Sequence, residues 1–183
     1  MLKSNYKDFI RRIKSIPNAL ETSMSETVEK VLKQMCEDMK TELSYARSYW
    51  LDNGGLEGVY NASGGDDVEY ESFGYTGTIY VGRNTPELKV GKGENQRQVN
   101  PYLFIQFGFG LVGESNPMPY ASQRRWEYNI NDHTKAWWFM GINGEKQITA
   151  GQKGYDFFYS VIKKYREKWK DIASESFLKN LGF

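Results

Sequence analysis

Among the residue patterns able to do chemistry, the run Gly108-Phe109-Gly110-Leu111-Val112-Gly113 stands first, because it matches the GxGxxG spacing with which backbone amides cradle a pyrophosphate. That chemistry needs a helix to start directly after the glycines, with its N-terminus aimed at the anion. Pro117 and Pro119 fall where the first helical turns belong, and each biases its preceding residue toward extended backbone. The pattern therefore predicts no helix there and no nucleotide site. The lysine-bearing strand and the HRD and DFG segments of a kinase are missing as well. His133, the single histidine, sits in a polar Asn-Asp-His-Thr-Lys run. As a general base it would need a nucleophile and an orienting carboxylate, and Asp132 is only its sequence neighbour, so it reads as a histidine in an exposed turn. One histidine and one cysteine, Cys36, exclude a multi-histidine metal cluster, a thiolate zinc site and an intramolecular disulfide. Asp66, Asp67, Glu69 and Glu71 crowd one segment without EF-hand spacing, which reads as a solvated acidic loop. With 23 acids in the chain, a carboxylate pair for glycoside hydrolysis has no sequence signature of its own. No catalytic residue, cofactor or metal is expected.

Trp126, Tyr128, Trp137, Trp138 and Phe139 could stack on a sugar or on single-stranded bases. The competing reading is structural. Consecutive residues on a strand point to opposite faces, so the Trp137-Trp138-Phe139 run needs cover on both sides of its strand, and a small protein supplies that cover most readily with a partner.

The elements that must position these groups follow from length and periodicity. At about 150 residues per domain, 183 residues read as one domain spanning residues 1–183. Twenty-four Lys and Arg against 23 Asp and Glu give a formal charge of +1, which argues against broad nucleic-acid binding. Aromatics at 15% supply a core. No run approaches the 18 apolar residues of a membrane span, and the charged N-terminus has no secretory h-region, so no membrane association and a cytoplasmic site of synthesis are expected.

Tyr6, Phe9, Ile10, Ile13 and Ile16 line one face of a short peripheral helix over residues 1–17, which Pro17 should end. Asn18 can then cap a second helix with a stripe of Leu20, Met24, Val28, Val31, Met35, Met39, Leu43, Ala46 and Trp50. That stripe runs for roughly 45 Å at 1.5 Å per residue, more than a compact domain of this size covers alone, so part of it is expected to pack on another subunit. Cys36 beside it reads as a small buried hydrophobe. Asn53-Gly54-Gly55 stops the helix, and a flexible passage should reach Gly74. From Leu51 to Gly82 there are six acids and no Lys or Arg. Strands are predicted at 76–81, 102–107, 126–130 and 136–142, with a polar arm over 84–100, a turn at 151–154 and a helix from Phe158 to the C-terminus. The class is α+β, with helices over one face of a small, mostly antiparallel sheet of about four strands.

The order of a long amphipathic helix, a Gly-rich passage, the strand Gly77-Thr-Ile-Tyr-Val-Gly82, the Tyr102-Leu-Phe-Ile-Gln-Phe-Gly-Phe-Gly110 segment and a Gly-x-x-Gly-Tyr-Asp-Phe-Phe lead-in to the last helix resembles the tail-component family of lambda-like tailed bacteriophages. Gln106-Phe107-Gly108 stands where that family usually has Glu-Phe-Gly, and Tyr155-Asp156-Phe157-Phe158 is similar to its Pro-Phe lead-in, without the proline. The resemblance covers roughly Ala19 to Phe177. Leu51 to Leu56 only remotely echoes the family's Pro-Val-Asp-Thr-Gly segment.

What the resemblance implies is a non-enzymatic, structural virion protein at the neck or the head-proximal end of the tail, in head-tail joining or tail completion. Its partners would be itself, in a ring of six with twelve as the alternative, and other phage neck, connector or tail proteins. DNA would be cargo passing through a channel. A ring needs heterologous surfaces that close on neighbours. Met24, Val31, Met39, Gln106, Phe107, Phe109, Trp137 and Trp138 are the candidate subunit or partner interface residues. Asp66, Asp67, Glu69 and Glu71 are candidates for a channel lining that repels phosphate. A phage-encoded glycan hydrolase and a soluble protein-binding module remain the alternatives.

Overall fold

The computed structural model describes residues 2–52, 67–90, 94, 96–128, 136–140 and 146–182. The fold is α+β. In chain order the elements are α1 (Leu2–Asp52), β1 (Val68–Phe73), β2 (Thr76–Val81), β3 (Leu88–Val90), β4 (Arg97–Val99), α2 (Pro101–Phe107), β5 (Gly108–Phe109), α3 (Gly110–Ser115), β6 (Trp137–Met140), β7 (Lys146–Thr149), β8 (Gly151–Lys153) and α4 (Phe158–Leu181). Among the described residues the strands form four two-stranded sheets, β1-β2, β3-β4, β5-β8 and β6-β7, rather than the single sheet expected. The chain divides into two compact units built from discontinuous segments. Unit 1 comprises Met1–Cys36, Tyr70–Ile79 and Ile162–Phe183, and unit 2 comprises Glu37–Glu69 and Tyr80–Val161.

The first correction concerns α1, which is one helix of 51 residues with Pro17 inside it. Neither the peripheral helix over 1–17 nor an Asn18 cap exists as a separate feature. Proline removes one amide donor and crowds the carbonyl four residues back. Here the site is exposed from Ile13 through Asn18, so solvent can satisfy the freed Ile13 carbonyl and the helix continues.

In unit 1, α1 and α4 run antiparallel, since Ser23 meets Ser176 and Asn180 while Gln34 meets Tyr165 and Lys168. The seam is small and polar. Ala19, Ser23 and Thr27 are buried on α1, opposite Ser176, and Ile172 and Tyr165 continue the buried face of α4. Ser23 Oγ donates to the Ala19 and Ser176 carbonyls, and Thr27 Oγ1 donates to the Ser23 carbonyl at 2.6 Å. Asn180 Nδ2 donates to Ser23 Oγ at 3.1 Å and to Glu26 Oε2 at 3.2 Å, so each buried hydroxyl of this seam has a partner. On this stretch the buried row lies one residue away from the apolar stripe. Leu20 and Met24 therefore face solvent, 49% and 46% exposed. Further along, Leu32 and Cys36 are buried, and the hairpin of β1 and β2 presses on α1 at Gly77, where a Cβ would stand 2.1 Å from Leu32 Cδ1.

In unit 2, Met39, Leu43 and Ala46 of α1 are fully enclosed and share a core with Val68, Val99, Tyr102, Phe104, Ile105, Phe107, Phe109, Ala121, Phe157 and Val161. The segment expected as a strand over 102–107 is the helix α2. Asn100 starts it, accepting from Tyr102 N at 3.0 Å, and Pro101 occupies a first-turn position where its missing donor costs nothing. Only Leu103 of this helix is exposed. Burial on nearly every side erases the 3.6-residue period and leaves an apolar run that looks like a strand. Val68–Phe73 is a strand where a flexible passage was expected, and Gly151–Lys153 is a strand where a turn was expected. Residues 126–128 lie in no strand, whereas 76–81 is the strand predicted and the predicted polar arm holds the β3-β4 hairpin.

The glycine run has a packing purpose. Gly108 ends α2 at φ 78°, pairs with Lys153 across β5 and β8, and a Cβ there would lie 2.4 Å from Gln152 O. A helix does begin within the run, against expectation, but α3 is a six-residue turn that ends before Pro117 and packs against β8. Gly113 completes the close approach, its missing Cβ 3.0 Å from the same Gln152 O. Gly108→Ala is expected to cost about 2–4 kcal/mol, from left-handed strain plus a backbone clash. Urea unfolding monitored by tryptophan fluorescence measures it, and a loss under ~0.5 kcal/mol would refute this account of the glycines.

Candidate functional site

Unit 2 encloses a cavity of about 340 Å³ between α2, the first turn of α4 and the 120s loop. Its wall is chiefly aromatic, with Tyr102, Phe107, Trp126, Phe157, Phe158 and Tyr159 joined by Val81 and Leu103. Three polar side chains reach it: Asn100, Gln106 and Arg124.

Each wall is fixed by a specific contact. Phe104 meets Trp126 edge-on at 5.3 Å, and Phe107 lies 5.6 Å from the same ring. The indole Nε1 donates to Gly108 O at 3.0 Å, which satisfies the polar end of a half-buried tryptophan. Tyr120 stacks on Tyr159 at 4.2 Å, and Arg124 Nε donates to the Tyr159 hydroxyl at 3.1 Å. The loop carrying these residues is conformationally unusual. Tyr120 and Arg125 hold φ values of 67° and 52°, a region costly for residues with a Cβ.

Gln106 is the hinge pin of the site. It is 3% exposed, and both ends of its amide are used: Nε2 donates to Asp156 Oδ1 at 2.7 Å, and Oε1 accepts from Phe158 N at 2.9 Å. The second bond takes up one of the orphan donors at the start of α4. Tyr155 N donates to Ile105 O at 2.7 Å, so α2 is tied to the α4 lead-in by backbone and side chain together. Burial, followed by the hydrogen bond to Glu42, pushes the Tyr155 phenol above its usual range, and that hydroxyl donates to Glu42 Oε2 at 3.1 Å.

The amides of Asn100 and Gln106 carry no titratable proton and are consumed by Val81 O, Tyr102 N, Asp156 and Phe158 N. Arg124 supplies positive charge beside a flat apolar surface. Among the described residues no group of three His, Cys, Asp or Glu side chains could hold a metal ion. No helix there is long and apolar enough to cross a membrane.

The residues singled out as an interface fall in different places. Met39, Gln106, Phe107 and Phe109, expected at an interface, are buried among the chain's own side chains. Met24 is exposed and Val31 half-buried. Trp137 and Trp138 lie on β6, paired with Thr149 and Ile148 of β7, and only their backbone is described. His133 and Asp66 lie outside the described residues. Asp67 is tied into a turn: Oδ2 accepts from Asn84 N and Thr85 Oγ1, both at 2.8 Å. Glu69 is exposed and accepts from Asn84 Nδ2 at 3.0 Å, while Glu71 is half-buried. Residues the pattern did not single out are Asn100, Arg124 and Tyr159. The Asn-Pro pair at 100–101 is a helix-start signal that could have found the first of these.

Comparison with protein-family models, with curated proteins and with solved structures finds no match for this chain.

The amide at 106 generates a reciprocal prediction. Gln106→Glu sets a carboxylate against Asp156 where a donor stood, and should cost about 3 kcal/mol at pH 7. Adding Asp156→Asn returns a donor and should recover most of that loss, whereas Asp156→Asn alone gives no such gain. Thermal and urea unfolding of the three variants checks this, and a double variant as unstable as Gln106→Glu would refute the direct pairing.

Proposed function

We propose that this chain is a structural protein of a tailed-phage virion, a tail-completion or neck component that joins head and tail by assembling into a ring. The reading combines the sequence resemblance over Ala19 to Phe177 with one observation: Ile13, Ile16, Leu20 and Met24 of α1 form an apolar row 40–49% exposed. These four are not scattered singles, because their separations of three, four and four place them on one helix face. A contiguous apolar face of that kind is what association buries. Rigid anchoring of α2 to the α4 lead-in through Gln106 supports the same reading, since a subunit that repeats around an axis must hold one shape.

In this proposal the copy number is six, with twelve as the alternative, and the adjoining partners are neck, connector or tail proteins. DNA passes as cargo. Any acidic channel lining falls to Asp66, Asp67, Glu69 and Glu71, of which Asp67 and Glu69 both accept from Asn84.

Leu20→Asp together with Met24→Asp tests the proposal. Light scattering and negative-stain microscopy should find rings of the native chain, alone or on addition of its gene neighbours' products, and none of the variant. Phage carrying the variant should accumulate filled heads and free tails that do not join. Normal particles from the variant phage, or a native chain that joins no head or tail component, would overturn it.

A further inference from the structure

We propose that the exposed row of α1 binds the same row of a second copy of this chain, with the two helices antiparallel across a two-fold axis near residue 18. The row is real surface within unit 1: Ile13 is 45%, Ile16 40%, Leu20 49% and Met24 46% exposed. It extends about 16 Å along the helix at 1.5 Å per residue.

Charge decides the occupant. Residues 7–17 hold four Lys and Arg and one acid, whereas residues 19–29, which the axis sets opposite them, hold Glu21, Glu26 and Glu29 and no Lys or Arg. The helix is thus basic on one side of the row's centre and acidic on the other. Two copies in parallel register would set like charge on like. Turned antiparallel, each copy lays its basic half on the other's acidic half. The apolar register follows from the same axis: Ile13 faces Met24 of the second copy, and Ile16 faces Leu20. Lys14 and Glu21, both exposed, are seven residues apart and so lie on the same flank of the helix. The axis brings Lys14 of each copy to Glu21 of the other, and two-fold symmetry makes this contact twice.

Glu21 also lies beside Tyr75 of the hairpin turn and holds its phenol above the usual range. Four side chains make a small patch beside the roughly 800 Å² per partner of a standard interface, so pairing should depend on concentration, over about 1 µM to 1 mM. The pairing does not require the virion reading. It is a different use of the row from ring closure, because a two-fold contact is isologous whereas a ring closes through heterologous surfaces.

Sedimentation equilibrium of the full chain and of Lys14→Glu, Glu21→Lys, the double Lys14→Glu/Glu21→Lys variant and Leu20→Asp tests it. Each single charge variant should raise the dissociation constant about fivefold to tenfold, because two attractive contacts become repulsive. The double variant should return it to within about twofold of the native value. An equimolar mixture of the two single variants should associate as tightly as the native chain, and Leu20→Asp should be monomeric. A native chain that stays monomeric throughout, or a double variant no tighter than the singles, overturns the antiparallel pairing. The two readings fail separately. If the charge swap has no effect but Leu20→Asp/Met24→Asp still blocks head-tail joining, the pairing is wrong and the assembly role stands. If the swap behaves as expected and phage carrying the row variants join normally, the reverse holds.

Discussion

Everything in unit 2 is arranged around one buried amide. Gln106 cannot be left without partners in an apolar surround, because an unpaired buried amide costs more than its hydrogen bonds return when made. Its two ends therefore fix Asp156 and the first amide of α4 at a set distance and direction from α2. Those constraints place Phe157 in the core and Phe158 and Tyr159 on the cavity wall. Tyr159 in turn holds Arg124 and Tyr120. The aromatic cavity is thus a consequence of polar satisfaction, with the rings filling positions that the amide has already defined.

The same principle, with a different outcome, shapes unit 1. Ser23, Thr27 and Ser176 are small enough to let α1 and α4 approach closely, and each brings a hydroxyl that must be bonded locally or across the seam. A greasy seam built from Leu20 and Met24 would tolerate several registers. The polar one admits few, since a shift would strand Asn180 away from Ser23 and Glu26. Specificity here comes at the expense of leaving good hydrophobes outside, and those hydrophobes are then available for association.

Much of this was legible in the sequence, and the failures have physical causes. The long helix, the strand over Thr76–Val81 and the final helix from Phe158 all follow from periodicity. Pattern alone could not tell which side of α1 faces inward, because hydropathy ranks Leu20 and Met24 above Ala19, Ser23 and Thr27 while close packing ranks them the other way. It could not identify α2 either, where burial around almost the whole circumference removes the contrast on which period detection depends. GxGxxG reads as leading into no helix, because Pro117 and Pro119 follow it. Its glycines admit the backbone of Gln152, and a short helix turn does follow. The partner of Gln106, fifty residues away, emerges only from three-dimensional proximity.

Cys36 is the chain's one thiol and is 5% exposed on α1. A sulfhydryl shielded in this way reacts slowly with maleimides and other alkylating reagents, which need an accessible thiolate. A cysteine introduced at an exposed position would therefore take up a dye or spin label far faster than the native one, without first deleting Cys36. The molecule comes prepared for distance measurements by fluorescence or electron resonance, with its own sulfur as a slow internal clock of local opening: the rate at which Cys36 becomes modified reports how often this stretch of α1 exposes it.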